Sequence, residues 1–349
     1  MVLLQQKWRI HMAASTPNLI KQANLKRIRS ALLQQQSATK PQLAEHTGLS
    51  VITVNTLIRS LLESGEVVED HVVHPQLGRP AMAYRLNETY CLALIVYTFE
   101  KDGQDTAFFV VRNLYGNSVE KFEKPIADIG PNSFDREISA LLEKYPSIRL
   151  IGFGLPVTES NGTIISSDYP HLVGRKFCAE KEALFHLPVF LVNDIKSATV
   201  GYCHNHAISP EHCVIGLYLP YKYAPGIAIY QDSKLVYGRD GLAGRIASLV
   251  PAIQWDTCDY QEKSYQDAVL QIIHTISCLY NPYAIVIYSE MPMEFLSTRI
   301  NEFFLSPVDQ IILPQLTVLN TIEQDFRSGM THLALDTLFR LEFPIHVSE

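Results

Sequence analysis

The stretch from Thr39 to Gly65 constrains this chain more tightly than any other. Thr39 is placed to cap a short helix, Pro41 sits in the first turn where its missing N–H costs nothing, and Leu43 and Ala44 face inward. Gly48 supplies the left-handed residue that ends that helix, and Ser50 caps the next one. In this following helix Val51, Val54, Leu57, Ile58, Leu61 and Leu62 form the expected buried stripe, closed by Gly65. Upstream, from Asn18, residues Ile20, Leu25, Ile28, Leu32 and Leu33 recur at helical spacing until the polar run Gln34-Gln35-Gln36-Ser37. Downstream, Val67-Val68 open a hairpin that runs to Leu86, with Gly78-Arg79-Pro80 before the returning strand. Two short helices about a tight glycine turn, followed by a hairpin, describe a winged helix-turn-helix.

That arrangement predicts a reader of double-stranded DNA. The third helix leaves Ile52, Thr53, Asn55, Thr56 and Arg59 opposite its apolar stripe, with Thr53 and Asn55 near the end that enters a major groove. The expected DNA-facing set is Lys40, Ser50, Thr53, Asn55, Thr56, Arg59 and Arg79. Within it Lys40 and Arg59 suit phosphates, while Arg79 on the wing suits a narrow minor groove. Charge agrees: residues 1–87 carry 10 Lys and Arg against 5 Asp and Glu, and the remainder, from totals of 29 and 36, carries 19 against 31. A basic head on an acidic body suits a chain whose small N-terminal part alone meets a polyanion.

The rest of the 349 residues has enough apolar material, at 47% hydrophobic overall, for two further lobes. No run approaches the roughly 20 apolar residues that cross a bilayer, and Met1 to Asn18 lacks a signal-type apolar core, so a cytoplasmic protein is expected. Six cysteines without a Cys-x-x-Cys pair read as buried thiols. After Asn87-Glu88-Thr89, strand-like runs at Leu92–Tyr97, Ala107–Val111, Leu150–Phe153, Val189–Val192, Val214–Leu219 and Ile285–Tyr288 alternate with helical stretches at Phe134–Tyr145, Ala179–His186, Ile195–His204 and Tyr265–Tyr280. The body is therefore α/β. Its boundaries are expected at 1–87 for the head and 88–349 for two lobes divided near residue 194.

From Asn24 to about Glu290 the sequence resembles the regulator branch of the ROK family of repressors, open reading frames and sugar kinases. In the head the resemblance rests on Gln42-Leu43-Ala44, Thr47-Gly48-Leu49-Ser50, Thr53-Val54 and Gly78-Arg79-Pro80. In the body it rests on Gly152-Phe153-Gly154-Leu155-Pro156, Gly162, Tyr169-Pro170-His171-Leu172 to Gly174, Leu191-Val192-Asn193-Asp194, and Asn281-Pro282 before Ile285-Val286-Ile287. It implies an actin-like, ribonuclease H-like body with a cleft between two α/β lobes.

Other family motifs are altered. The first phosphate turn, Asp-x-Gly-Gly-Thr, would fall in Tyr97 to Thr106, where the only glycine is Gly103. The second, a four-glycine loop, aligns with Lys222-Tyr223-Ala224-Pro225-Gly226-Ile227-Ala228, where proline and bulky side chains obstruct the backbone approach that phosphates need. The family's Gly-Glu-x-Gly-His segment reads Gly244-Arg245-Ile246-Ala247-Ser248, and of its zinc cysteines only Cys258 follows Trp255-Asp256-Thr257. Asp194 matches the family's catalytic base, and both a helix cap before Ile195 and a retained ligand contact fit it. Cys203-His204-Asn205-His206 with His212-Cys213 reads as a helix end and a strand start rather than a metal site.

These residues predict a DNA-binding transcriptional regulator, with repression the family's commoner habit, whose body dimerises and senses a sugar-like or acidic effector at Asn193, Asp194 and Arg245. No cofactor or metal is expected. The alternatives are a sugar kinase with an added DNA-binding head, and a regulator whose cleft has become structural.

Overall fold

A computed structural model describes residues 16–343, apart from 75–78, 221–222, 252, 256, 307–309 and 311. Gly78, Lys222 and Asp256 of the motifs above therefore lie outside the described residues, as does the side chain of Ser248. The chain forms two compact units. One contains residues up to Leu92, the turn Asn113–Asn117 and the chain from Asp336; the other contains Ala93–Arg112 and Ser118–Leu335. The boundary expected at Asn87 rests on the linker Asn87-Glu88-Thr89, whereas the first unit runs on to Leu92 and is completed by spatially adjacent segments from far along the sequence.

In the first unit α1 (Thr16–Gln35) buries Leu25, Ile28 and Leu32, but Ile20, expected to face inward, is exposed near its start. After β1 (Ala38–Thr39), α2 (Lys40–Thr47) opens with a full capping box between Thr39 and Gln42 and ends at Gly48, φ +68°. The cap of α3 (Val51–Glu63) is Ser50, whose Oγ accepts the Thr53 N–H at 3.1 Å. Val54, Leu57, Ile58 and Leu61 are buried as the periodicity requires. Val51 is not: it is 53% exposed, because the first turn of α3 projects beyond the core that covers the later ones.

The strands β2 (Val67–Val73) and β3 (Ala81–Leu86) pair antiparallel from Val67↔Leu86 to Val73↔Ala81, and β1 adds to the other edge of β3 through Ala38↔Tyr84. Under this sheet the buried Glu66 carboxylate is held by the Arg29 guanidinium. That guanidinium also lies 4.3 Å from the ring centroid of Phe343, against which Tyr90 stacks at 6.5 Å. Tyr115 donates its O–H to the Gln36 carbonyl at 3.4 Å, and the Asn113 amide donates to Glu88 at 2.7 Å. Segments far apart in the sequence thus finish one core.

The second unit is built on two five-stranded sheets. The first has the order β10-β7-β4-β5-β6, from β4 (Leu92–Lys101), β5 (Gln104–Arg112), β6 (Ser118–Pro125), β7 (Ile148–Gly154) and β10 (Val189–Val192). The meander β4-β5-β6 is antiparallel, and β10 runs parallel to β7. Its helices are α4 (Asp135–Lys144) and α5 (Phe177–Phe185); β8 (Val157–Ser160) and β9 (Thr163–Ser167) form a separate hairpin.

After α6 (Asp194–Asn205) comes the second sheet, ordered β13-β12-β11-β14-β15: β11 (Val214–Leu219), β12 (Gly226–Gln231), β13 (Lys234–Leu235), β14 (Ala284–Ser289) and β15 (Gln315–Leu319). Its core packs Ile215, Leu217, Ile285 and Ile287 against Val269, Ile272, Ile273 and Ile276 of α7 (Lys263–Tyr280). A short α8 (Phe295–Arg299) precedes a long C-terminal α9 (Glu323–Glu342). Helix α9, β12 and β15 lay outside the elements expected from the sequence. Among the described residues no helix is long and apolar enough to cross a membrane.

Candidate nucleic-acid interface and body cleft

The outer face of α3 is set by its cap. Because Ser50 holds the Thr53 N–H, and its hydroxyl meets that of Thr53 at 2.9 Å, the first turn is fixed with both oxygens engaged locally. Thr56 donates its hydroxyl to the Ile52 carbonyl at 3.1 Å. Asn55, Thr56 and Arg59 are exposed along one side of α3, and Arg79, just before β3, is exposed as well. Lys40, expected at phosphates, has its ammonium 2.7 Å from Asn55 Oδ1, so it meets the helix face rather than standing free. An ammonium only donates, which identifies the amide oxygen as the bonded atom and leaves the Asn55 NH2 as donors. Ile52, placed on this face by its spacing yet left out of the expected contacts, is 80% exposed.

The second unit contains a cavity of about 910 Å³ lined from both sheets and from α9. On one wall β4 and β5 meet in the two-residue turn Asp102-Gly103, φ +54° and +75°, the combination that matches strand twist in a tight hairpin. This is where the first phosphate turn would fall. Instead of a glycine loop the strands stay paired to Lys101↔Gln104 and present aromatic rings: Tyr97 stacks on Phe108 at 5.0 Å, and Phe99 meets Phe326 of α9 at 4.9 Å. Arg327 lies 5.4 Å from the Phe108 ring centroid and pairs with Glu323; Lys101 pairs with Glu123.

Among the described residues the two cationic side chains lining the cavity are thus paired with carboxylates, while Asp105, Asp168, Asp194, Glu100 and Glu290 also line it. Tyr169 donates to Thr98 at 2.9 Å and to Asp105 at 3.3 Å. Burial pushes the Asp105 carboxyl above its ordinary value against the lowering effect of that Tyr169 bond. Asp168 keeps solvent access, yet protein crowding around its carboxyl, reinforced by the charges of Asp194 and Asp105, pushes it up to about 7. Desolvation raises Asp194 to about 6 although the Ile195 N–H, 2.8 Å away, favours its charged form.

The expected effector set is only partly assembled here. Asp194 lines the cavity; Asn193 instead caps α6, accepting the Lys196 N–H at 3.0 Å. Arg245 is exposed and does not line the cavity. Gly244 keeps a structural reason for its residue type: at φ +101°, a Cβ there would stand 2.0 Å from the Ile227 carbonyl oxygen. Cys203 is buried and His206 stacks on Tyr202 at 4.2 Å. Among the described residues no three His, Cys, Asp or Glu side chains are grouped to hold a metal ion. Asp105, Asp168, Glu290 and Arg327 were missed because only the folded sheets bring them together; Asp168 alone carried a signal, being next to the Tyr169-Pro170-His171-Leu172 motif.

No family profile and no curated protein matches the chain. Solved structures do share its fold, and they are ROK family proteins, regulators and sugar kinases alike. A ROK family transcriptional regulator described as a homologue of the E. coli Mlc protein superposes with a TM-score of 0.57 at 16% identity, over 93% of this chain and 99% of its own. The ROK hexokinase from Thermus thermophilus superposes with a TM-score of 0.50 at 14% identity, over 71% of this chain and 98% of its own.

Proposed function

We propose that this chain is a sequence-specific, DNA-binding transcriptional regulator, with a winged helix-turn-helix head and a ROK-like body that dimerises and senses a small effector without phosphorylating it. The observation that carries the reading is α3, fixed by Ser50, buried along Val54, Leu57, Ile58 and Leu61, and bare along Asn55, Thr56 and Arg59. The excess of basic residues in 1–87 and the 93% coverage by a regulator fold support it. Repression in the cytoplasm is the sense of regulation that the family resemblance favours.

The cavity's chemistry selects among effectors. Carboxylates accept hydrogen bonds from sugar hydroxyls and aromatic rings stack on sugar faces, whereas an acidic ligand would meet Asp105, Asp168 and Asp194 at close range. A sugar-like effector is therefore preferred to an acidic one, and Arg245 drops out of its contacts. The kinase reading retains Asp194 as its base and the hexokinase fold. A paired hairpin with aromatic side chains, where the triphosphate cradle belongs, weighs against it.

The test is selection of genomic duplexes by the purified full chain. A dimer should enrich an inverted repeat with half-sites one or more turns apart, bound with an affinity that falls steeply with salt. Equal binding to every duplex would remove the reading of the head.

A further inference from the structure

A helix that reads base edges is expected to expose hydrogen-bonding groups at its tip. In α3 the two residues of the first turn that stand out are apolar, Ile52 at 80% exposure and Val51 at 53%. The neighbouring hydroxyls are spent locally, Thr53 on Ser50 and Thr56 on the Ile52 carbonyl. One helical turn after Ile52, Asn55 has its oxygen on the Lys40 ammonium and offers its NH2 as a donor. The tip therefore presents an aliphatic surface beside a donor. In the major groove only thymine presents the complement, a C5 methyl beside the O4 acceptor. The partner is DNA by charge as well, since residues 1–87 carry twice as many basic as acidic side chains.

We infer that Ile52 determines sequence specificity by packing on a thymine methyl group in each half-site, with Asn55 donating to an acceptor beside it. This rests on the proposed DNA-binding function and goes beyond it, because it names the base and the atom that α3 reads. Ile52 has no core to serve, so replacing it leaves the fold intact.

The experiment replaces each thymine of the selected duplex in turn by uracil, which differs only in lacking the methyl, and measures binding to the full-length protein. Burying one methyl-sized apolar group corresponds to about a three- to tenfold change in affinity. One position per half-site should show that loss, and Ile52→Ala, confirmed as folded by circular dichroism, should bind the thymine duplex more weakly while no longer distinguishing uracil. If uracil is tolerated at every position while duplex preference persists, the inference is wrong and the DNA-binding reading stands. An uracil penalty that persists in Ile52→Ala assigns the methyl to another residue and overturns the inference. Absence of any duplex preference overturns both.

Discussion

Ser50 illustrates how one hydroxyl fixes both a helix end and a neighbouring side chain. It satisfies the Thr53 N–H and orients the Thr53 side chain, so Ser50→Ala should destabilise the first unit by about 1 kcal/mol, as lost N-caps do, and Ser50→Asp should restore most of it in urea unfolding. The Lys40–Asn55 bond makes a second prediction. If Lys40 only touched phosphate, Lys40→Ala would weaken all duplexes alike; because it holds Asn55, it should relax base preference at the same position as Asn55→Ala, and a double-mutant cycle on the selected duplex should show coupling. The cavity carboxyls give a third. Asp168 and Asp194, raised to about 7 and about 6 from an ordinary 3.8, keep protons that the unfolded chain has released. Stability from these two groups therefore grows as pH falls from about 7 towards 4 and is lost as pH rises through that window. Thermal melts should show a smaller gain between pH 7.5 and pH 5 for Asp168→Asn and Asp194→Asn than for the native chain.

Among elements, the crossing of α6 and α9 is the least tolerant contact of the body. Their backbones meet at two glycines: a Cβ on Gly201 would stand 1.8 Å from the Asp325 carbonyl oxygen, and one on Gly329 1.8 Å from that of Ser197. Ser197 also donates its hydroxyl to the Phe326 carbonyl, and buried Asp325 accepts from Tyr288 and Asn205. Gly201→Ala should cost about 3 kcal/mol or more, near the upper range of overpacking, while Gly226→Ala, with open space around it, should be nearly neutral in the same unfolding assay. The same crossing explains why α9 was not legible in the sequence. Its buried side carries Phe326, Met330, Ala334 and Leu338 at four-residue spacing, but the crossing sets Asp325 and Gly329 among them and so dilutes the apolar stripe, whereas Thr39, Gly48 and Ser50 announced α2 and α3 through purely local chemistry. Periodicity likewise placed Val51 inside, because it registers angle around a helix and not where the supporting core stops. The cavity was legible at Asp194 and, through the family motifs, at Gly154, Leu155, Pro156 and Tyr169; its remaining carboxylates come from segments that only tertiary pairing unites.

At the scale of the molecule, the two readings of the body separate on one ligand. ATP needs donors for its phosphates; among the described residues this cavity offers five carboxylates beyond those paired with Lys101 and Arg327, so calorimetry should detect no ATP binding and hexoses should release no ADP. Sugar-dependent ADP release that vanishes in Asp194→Asn would restore the kinase reading. The composition of the first unit yields another expectation: a fragment ending at Asn87 lacks Tyr90, Tyr115 and Phe343, and should melt at a lower temperature than the same unit in the whole chain. Phe343→Ala should reproduce part of that loss, since the Arg29 guanidinium would lose its ring. During synthesis, then, the first unit waits until the second has been translated before the residues from Asp336 onward can finish its packing. A ribosome stalled in the body would expose α3 on an incomplete core, so under the proposed function such a fragment should bind duplex DNA more weakly than the complete chain.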